Sequence, residues 1–274
     1  MRISGLILLL IVFFGFYTKA QDSINYSWNE RILYPIDSTE VWTVDALGNV
    51  YISSAGVISK IDSAGVFKFG QSIKSLGKME QLIPINTMKL VHFSAEQQTL
   101  CYFDNTLTQT SDCLELSDRE IVNAKLVSAS SRSDQIWVFD NLNSTLVLLS
   151  VDGTSQTQKI ENLRGVLNIN NITQIIERNN HLYLLDSEKG VYIFDLYGSL
   201  IDFKAVEGVR SIDAYENTLF MLTESELKIV LLSDGSLLST KLPDGNFHEL
   251  KYINQFFYLR SLSNVHKFTL QISE

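Results

Sequence analysis

Between Asn179 and Ser199 the chain reads NNHLYLLDSEKGVYIFDLYGS, in which two runs, HLYLLD and GVYIFD, alternate apolar with less apolar residues on either side of the turn SEKG. A period of two belongs to a strand with one face toward a core, not to a helix. Tyr183, Tyr192, Ile193 and Phe194 are residue types that fit a pleated, half-buried surface. Each run ends in an aspartate, Asp186 or Asp195, whose short carboxylate accepts from neighbouring backbone N–H groups and starts a turn. In the next turn, LYGS, Gly198 stands where a positive φ is expected. With Ile172 to Ile176 before this stretch and Leu200 to Val206 after it, the pattern predicts four antiparallel strands joined by short turns.

The unit recurs. Val41 to Phe69, Glu80 to Leu116, Ile121 to Ile160 and Val209 to Leu242 each divide into strand-like runs of the same kind, and the chain closes with HELKYI, QFFYLRS and NVHKFTLQI. Tyr51, His92, Val138, Tyr183, Phe220 and Tyr258 occupy equivalent second-strand positions, spaced 37 to 46 residues apart. A four-stranded meander of that length is the size of one propeller blade, so the expected fold is all-β, a six-bladed β-propeller of four-stranded antiparallel blades. The last blade lacks an outer strand, while Arg31 to Ile36 (RILYPI) is a strand without a blade. Pairing that segment with Asn264 to Ile272 closes the ring and removes two free sheet edges. In the first blade GNVYIS, GVISKID and SAGVFKF resemble a propeller repeat of the NHL type. Such patterns imply fold far better than function.

Composition places this ring in a compartment. Arg2, an apolar run from Leu6 to Tyr17 and the small residues Thr18 and Ala20 describe a secretory signal peptide over residues 1–20, leaving a single domain over 21–274. The apolar run is shorter than the roughly 20 residues of a spanning helix, which favours export over an uncleaved anchor. Cleavage after Ala20 removes Arg2 and Lys19 and no acid, so the formal charge moves from −9 to −11. That charge repels phosphate backbones, and no basic cluster is interleaved with aromatics, so nucleic acid is not an expected partner. The expected location is periplasmic or secreted.

Cys101 and Cys113 are equidistant from Leu107, so a hairpin centred there sets them opposite each other, and an oxidising compartment allows a disulfide; two buried free thiols are the alternative. His92, His181, His248 and His266 show no metal-ligand spacing and read as structural. Aligned on the second strands, Asp45, Glu177 and Asp213 fall at the ends of three inner strands. Three carboxylates at one channel mouth could hold Ca²⁺, as in propeller lactonases and related hydrolases, but an aspartate at a strand end is ordinarily a turn former. Ile85, Ser128 or Ser130, and Lys251 stand near the matching places in the other blades, so the ring of ligands is incomplete. Trp28, Tyr197 and Tyr215 are candidate interaction residues, since interfaces are rich in aromatics. No cofactor and no catalytic set are expected. The function expected is a non-enzymatic scaffold of the bacterial cell envelope that holds other envelope proteins, by fold-level analogy with propellers that serve outer-membrane assembly or secretion machines. A Ca²⁺-dependent hydrolase or lactonase and a carbohydrate-binding propeller are the alternatives.

Overall fold

Each run of alternating residues forms a strand, and the strands associate four at a time because a short amphipathic strand buries its apolar face only in a packed sheet. The computed structural model describes residues 26–151, 155–167, 169 and 171–272. After β1 (Tyr26–Pro35), blade one is β2 (Val41–Val44), β3 (Val50–Ser54), β4 (Val57–Ile61) and β5 (Phe67–Ser72). Blade two is β6 (Gln81–Pro84), β7 (Lys89–Ser94), β8 (Thr99–Asp104) and the two-residue β9 (Leu114–Glu115). Blade three is β10 (Ala124–Ala129), β11 (Gln135–Asp140), β12 (Thr145–Ser150) and β13 (Gln156–Ile160). Blade four is β14 (Ile172–Arg178), β15 (His181–Asp186), β16 (Gly190–Asp195) and β17 (Leu200–Lys204). Blade five is β18 (Ser211–Tyr215), β19 (Thr218–Leu222), β20 (Glu226–Leu231) and β21 (Leu237–Lys241). Blade six is β22 (Glu249–Ile253), β23 (Phe256–Arg260) and β24 (Asn264–Ile272), with β1 as its fourth strand. Neighbouring strands pair antiparallel, and β2, β6, β10, β14, β18 and β22 line the central channel. The fold is the six-bladed propeller expected.

A recurrent aspartate sets many of the turns. Asp45, Asp62, Asp104 and Asp195 each follow or end a strand, and one carboxylate oxygen of each accepts from the N–H groups two and four residues on. The fourth residue of these turns has positive φ: Gly48 at 81°, Gly65 at 86°, Gly198 at 94°. Blade two uses Leu107 at 65° instead, a conformation that disfavours a side chain, and Leu107 is fully buried there. The Ser199 N–H, first among several contributions, holds the Asp195 carboxyl below its ordinary value.

The core lies between blades. Among the described residues the buried apolar side chains fall into six clusters, one at each junction, because the two faces of a blade pack against different neighbours. Tyr183, Leu185 and Val191 of blade four thus meet Ile212, Leu219 and Met221 of blade five, while Leu182 and Leu184 meet Phe139 and Leu148 of blade three.

The closing strand is longer than its alternation indicates, Tyr26–Pro35 and not Arg31 to Ile36. Its register shifts between Glu30 and Ile32, opposite Phe268 and Lys267, leaving Arg31 as the extra residue of a bulge. One inserted residue exchanges the faces of a strand. Trp28 therefore points toward blade five, edge-on to Phe257 and Phe268 at 5.3 and 5.6 Å, and its Nε1 donates to the Lys241 carbonyl at 2.7 Å. Tyr34, beyond the bulge, is buried at the opposite junction with Trp42, Val44 and Val265. A single strand so enters two junctions. Replacing Trp28 by Ala is expected to destabilise the protein by about 3 kcal/mol in urea unfolding, from lost packing and the unpaired Lys241 carbonyl, and Trp28→Phe by about 1 kcal/mol. Unchanged midpoints for both variants would contradict this role.

Candidate functional site

The inner strands are short and apolar, as in QLIPI and ITQII, but each of these carries a glutamine that sequence reasoning passed over. Gln81 accepts from the Val127 N–H at 2.7 Å and Gln174 from the Ile212 N–H at 2.9 Å, each amide also donating to the carbonyl of the same residue. Gln98, in the β7–β8 turn, clasps Ala124 in the same manner at 2.6 and 3.0 Å. Inner strands of neighbouring blades do not pair with one another, so these side chains satisfy backbone groups that the channel would leave open. Third-strand lysines do similar work farther out, Lys60 donating to the Asn105 carbonyl at 2.9 Å and Lys267 to that of Ser63 at 3.0 Å. The sequence signal for Gln81 and Gln174 is a polar residue in an apolar inner strand; Gln98, in a polar turn, has none.

Between the inner strands lies a cavity of about 370 Å³, continuous with a second of about 380 Å³ at the mouth where the inner strands end; both are bounded by Val44, Pro84, Ala129, Arg178 and Ile253. The mouth is ringed by the first turn of each blade, with Ala46, Asn86, Ser131, Asn179, Tyr215 and Asn254 on its wall.

The three carboxylates aligned from the sequence are not equivalent in space. By register the partners of Val50, Leu182 and Leu219 are Val44, Glu177 and Ala214, because the hairpin turns differ in length. Asp45, just past β2, accepts from Leu47 N, Asn49 N and Nδ2, and the Tyr51 hydroxyl at 3.0 Å. Glu177 reaches back into blade three and accepts from Ser130 Oγ at 2.8 Å, Ser131 N at 2.8 Å, the Ser131 hydroxyl and Trp137 Nε1 at 2.5 Å. Asp213 reaches forward to the Tyr252 N–H at 2.8 Å, accepts from Ala214 N, and faces Arg178 Nε at 3.4 Å. All three are buried, and each is bonded to the protein itself. Among the described residues no group of three or more His, Cys, Asp or Glu is placed to hold a metal ion. The structure does not bring these carboxylates together.

Cys101 and Cys113 are joined by a disulfide, on the line of the β8–β9 register that pairs Leu100 with Leu114. The histidines are dispersed. His181 Nδ1 lies 3.0 Å from the Asn179 carbonyl, His266 Nδ1 lies 2.5 Å from Glu30 Oε1, His248 Nε2 is buried without a partner among the described residues, and His92 is fully buried between Leu82 and Cys101. Of the aromatic candidates, Trp28 is partly buried in the closing strand, Tyr197 stands exposed on the β16–β17 turn, and Tyr215 is half exposed on the mouth against Tyr252 at 5.5 Å.

Neither a protein-family model nor a curated protein sequence matches the chain. Its fold is similar to that of virginiamycin B lyase from Staphylococcus aureus, with a TM-score of 0.64 and 12% identity over 89% of this chain and 99% of that one. A streptogramin B lyase has a TM-score of 0.62 at 12% identity, covering 90% and 99% of the two chains. The Pan2 WD40 domain from Neurospora crassa has 0.62 at 9% identity, covering 92% and 99%. At these identities the likeness is one of fold alone, spanning a lyase and a WD40 domain.

Among the buried polar groups, His92 yields a pH dependence. Among the described residues neither ring nitrogen has a hydrogen-bond partner beyond the residue's own backbone, and burial, outweighing that contact, pushes its pKa down to about 4. The unfolded chain takes up a proton near pH 6.5 that the folded chain refuses, so stability is full above pH 6.5 and declines as pH falls toward 4. This residue alone is expected to cost about 3 kcal/mol across that interval. Replacing His92 by Val, the residue at the equivalent position in blade three, is expected to flatten the profile between pH 6.5 and 4. Parallel denaturation profiles for the two proteins would contradict it.

Proposed function

We propose that this chain is an exported, non-enzymatic propeller whose channel-mouth face holds another protein of the cell envelope. One observation carries the reading. Around the mouth, first-turn residues Leu47, Met88 and Tyr215 are exposed beside the apolar walls Pro84, Ile85 and Ile253, while Asp45, Glu177 and Asp213 are already bonded within the ring. Apolar and aromatic side chains at the rim of a rigid concave face suit burial by a partner. Carboxylates engaged by backbone and indole donors do not suit proton transfer.

Export rests on the signal-like residues 1–20, which lie outside the described residues. No helix among the described residues is long and apolar enough to cross a membrane.

Affinity capture of the tagged protein from gently solubilised envelopes tests the proposal. The wild-type chain is expected to bring down a defined partner and to begin at Gln21 by mass spectrometry. The combined change Leu47→Ser, Met88→Ser and Tyr215→Ala is expected to lose the partner with the melting temperature retained. Recovery of the protein alone under several mild conditions, or equal capture by the variant, would count against the mouth as the docking face.

A further inference from the structure

One charged side chain in the channel is left out of the bonding between blades. Lys251 lies at the centre of β22, lines the channel cavity, and holds its ammonium 5.5 Å from the centroid of the Trp42 ring. Among the described residues no hydrogen bond and no ion pair within 4 Å engages its Nζ; Glu249, Asp213 and Arg178 act on it only at longer range.

Those neighbours are held by others. Glu249 accepts from Trp42 Nε1 at 2.8 Å and from Arg260 Nη1 at 2.5 Å, so both its carboxylate oxygens are engaged by other donors. Asp213 is taken by Ala214, Tyr252 and Arg178. The channel arginines are likewise committed, Arg178 to the Glu177 carbonyl and Asp213, Arg210 to Asn246, the Phe247 carbonyl and Glu224. Lys251 is half-buried in the channel, and a partly desolvated ammonium without a contacting counter-charge is destabilised. Its desolvation outweighs the attraction of Glu249 and Asp213 and lowers its pKa.

The space beside this amine suits a ligand with one charged end. The cavity, about 370 Å³, falls within the range of small-molecule sites, and the partly buried apolar residues on its walls include Pro84, Leu126, Ala129 and Ile253. Its junction with the mouth cavity gives a path from solvent.

We propose that the channel binds a small organic carboxylate, whose oxygens accept from the Lys251 ammonium and whose apolar part lies against the Pro84, Leu126 and Ile253 wall. The carboxylate supplies the contacting negative charge that the ring does not. This site goes beyond docking at the mouth and does not depend on it.

Isothermal titration of the mature chain with benzoate, acetate and inorganic phosphate tests the proposal, alongside Lys251→Met. The wild-type protein is expected to bind benzoate saturably and more tightly than acetate or phosphate. Lys251→Met is expected to weaken benzoate at least about tenfold, the loss of one charge-assisted hydrogen bond, with a melting temperature equal to or above wild type. No saturable heat from the wild-type protein with any of the three anions would overturn the site, a result that does not require the variant to fold. Undiminished benzoate binding by Lys251→Met would overturn the role of the lysine, and tighter binding of phosphate than of benzoate would overturn the ligand class.

Discussion

The pairing of β1 with β24 is the constraint on which the rest of the structure depends. A ring of blades has no central core; it has junctions, and each junction is buried only if both neighbours stay in place. Blade six obtains its fourth strand from the opposite end of the chain. The Arg31 bulge lets that strand serve two junctions, with Trp28 on one face and Tyr34 on the other. Without the strand, β24 exposes a row of unpaired backbone groups and both junctions lose an aromatic anchor.

A second constraint follows from the geometry of the ring. Inner strands of neighbouring blades come close without forming a ladder, so their open backbone groups need side-chain partners. Gln81, Gln174 and Asp213 supply them along the channel, Gln98 does so from the β7–β8 turn, and Glu177 ties the inner strand of blade four to the first turn of blade three. Polar residues in the channel thus have a structural use before any chemical one. Lys251 stands apart because, among the described residues, only the Trp42 ring lies against its charge and no hydrogen bond or ion pair within 4 Å engages it. The candidate site is therefore defined by what the bonding leaves over, an apolar rim and one amine, not by an acid–base pair.

The architecture was legible because strand alternation and turn residues are local signals. HLYLLD, SEKG and GVYIFD specify β15, a turn and β16 without reference to any other part of the chain, and a fixed repeat length turns strands into blades. The first half of β1 was not legible. Asn29, Glu30 and Arg31 are three polar residues in a row, and the bulge that reverses the faces of the strand reads as a loop. The carboxylates misled for a related reason: counting back from the second strands assumes equal hairpins, while the turn after Val44 is longer than that after Arg178. The glutamine clasps were hidden because their partners are backbone groups 26 to 46 residues away, which carry no side-chain signature. Lys251 appeared as a gap in a ring of acids, and what occupies its acidic neighbours, Trp42 and Arg260 on Glu249 and Tyr252 on Asp213, carries no local signal.

Ring closure is tested most directly by calorimetric melting of two shortened chains, one beginning at Ser27 and retaining nearly all of β1, the other beginning at Val41 and lacking it. The first is expected to melt as the mature chain does, as a soluble protein in one cooperative transition. The second is expected to aggregate or to melt far below it, because two junctions and one sheet edge are opened together. Equal melting temperatures for the two would show that the ring stands without its closing strand, and the account of how this chain is held together would fail with it.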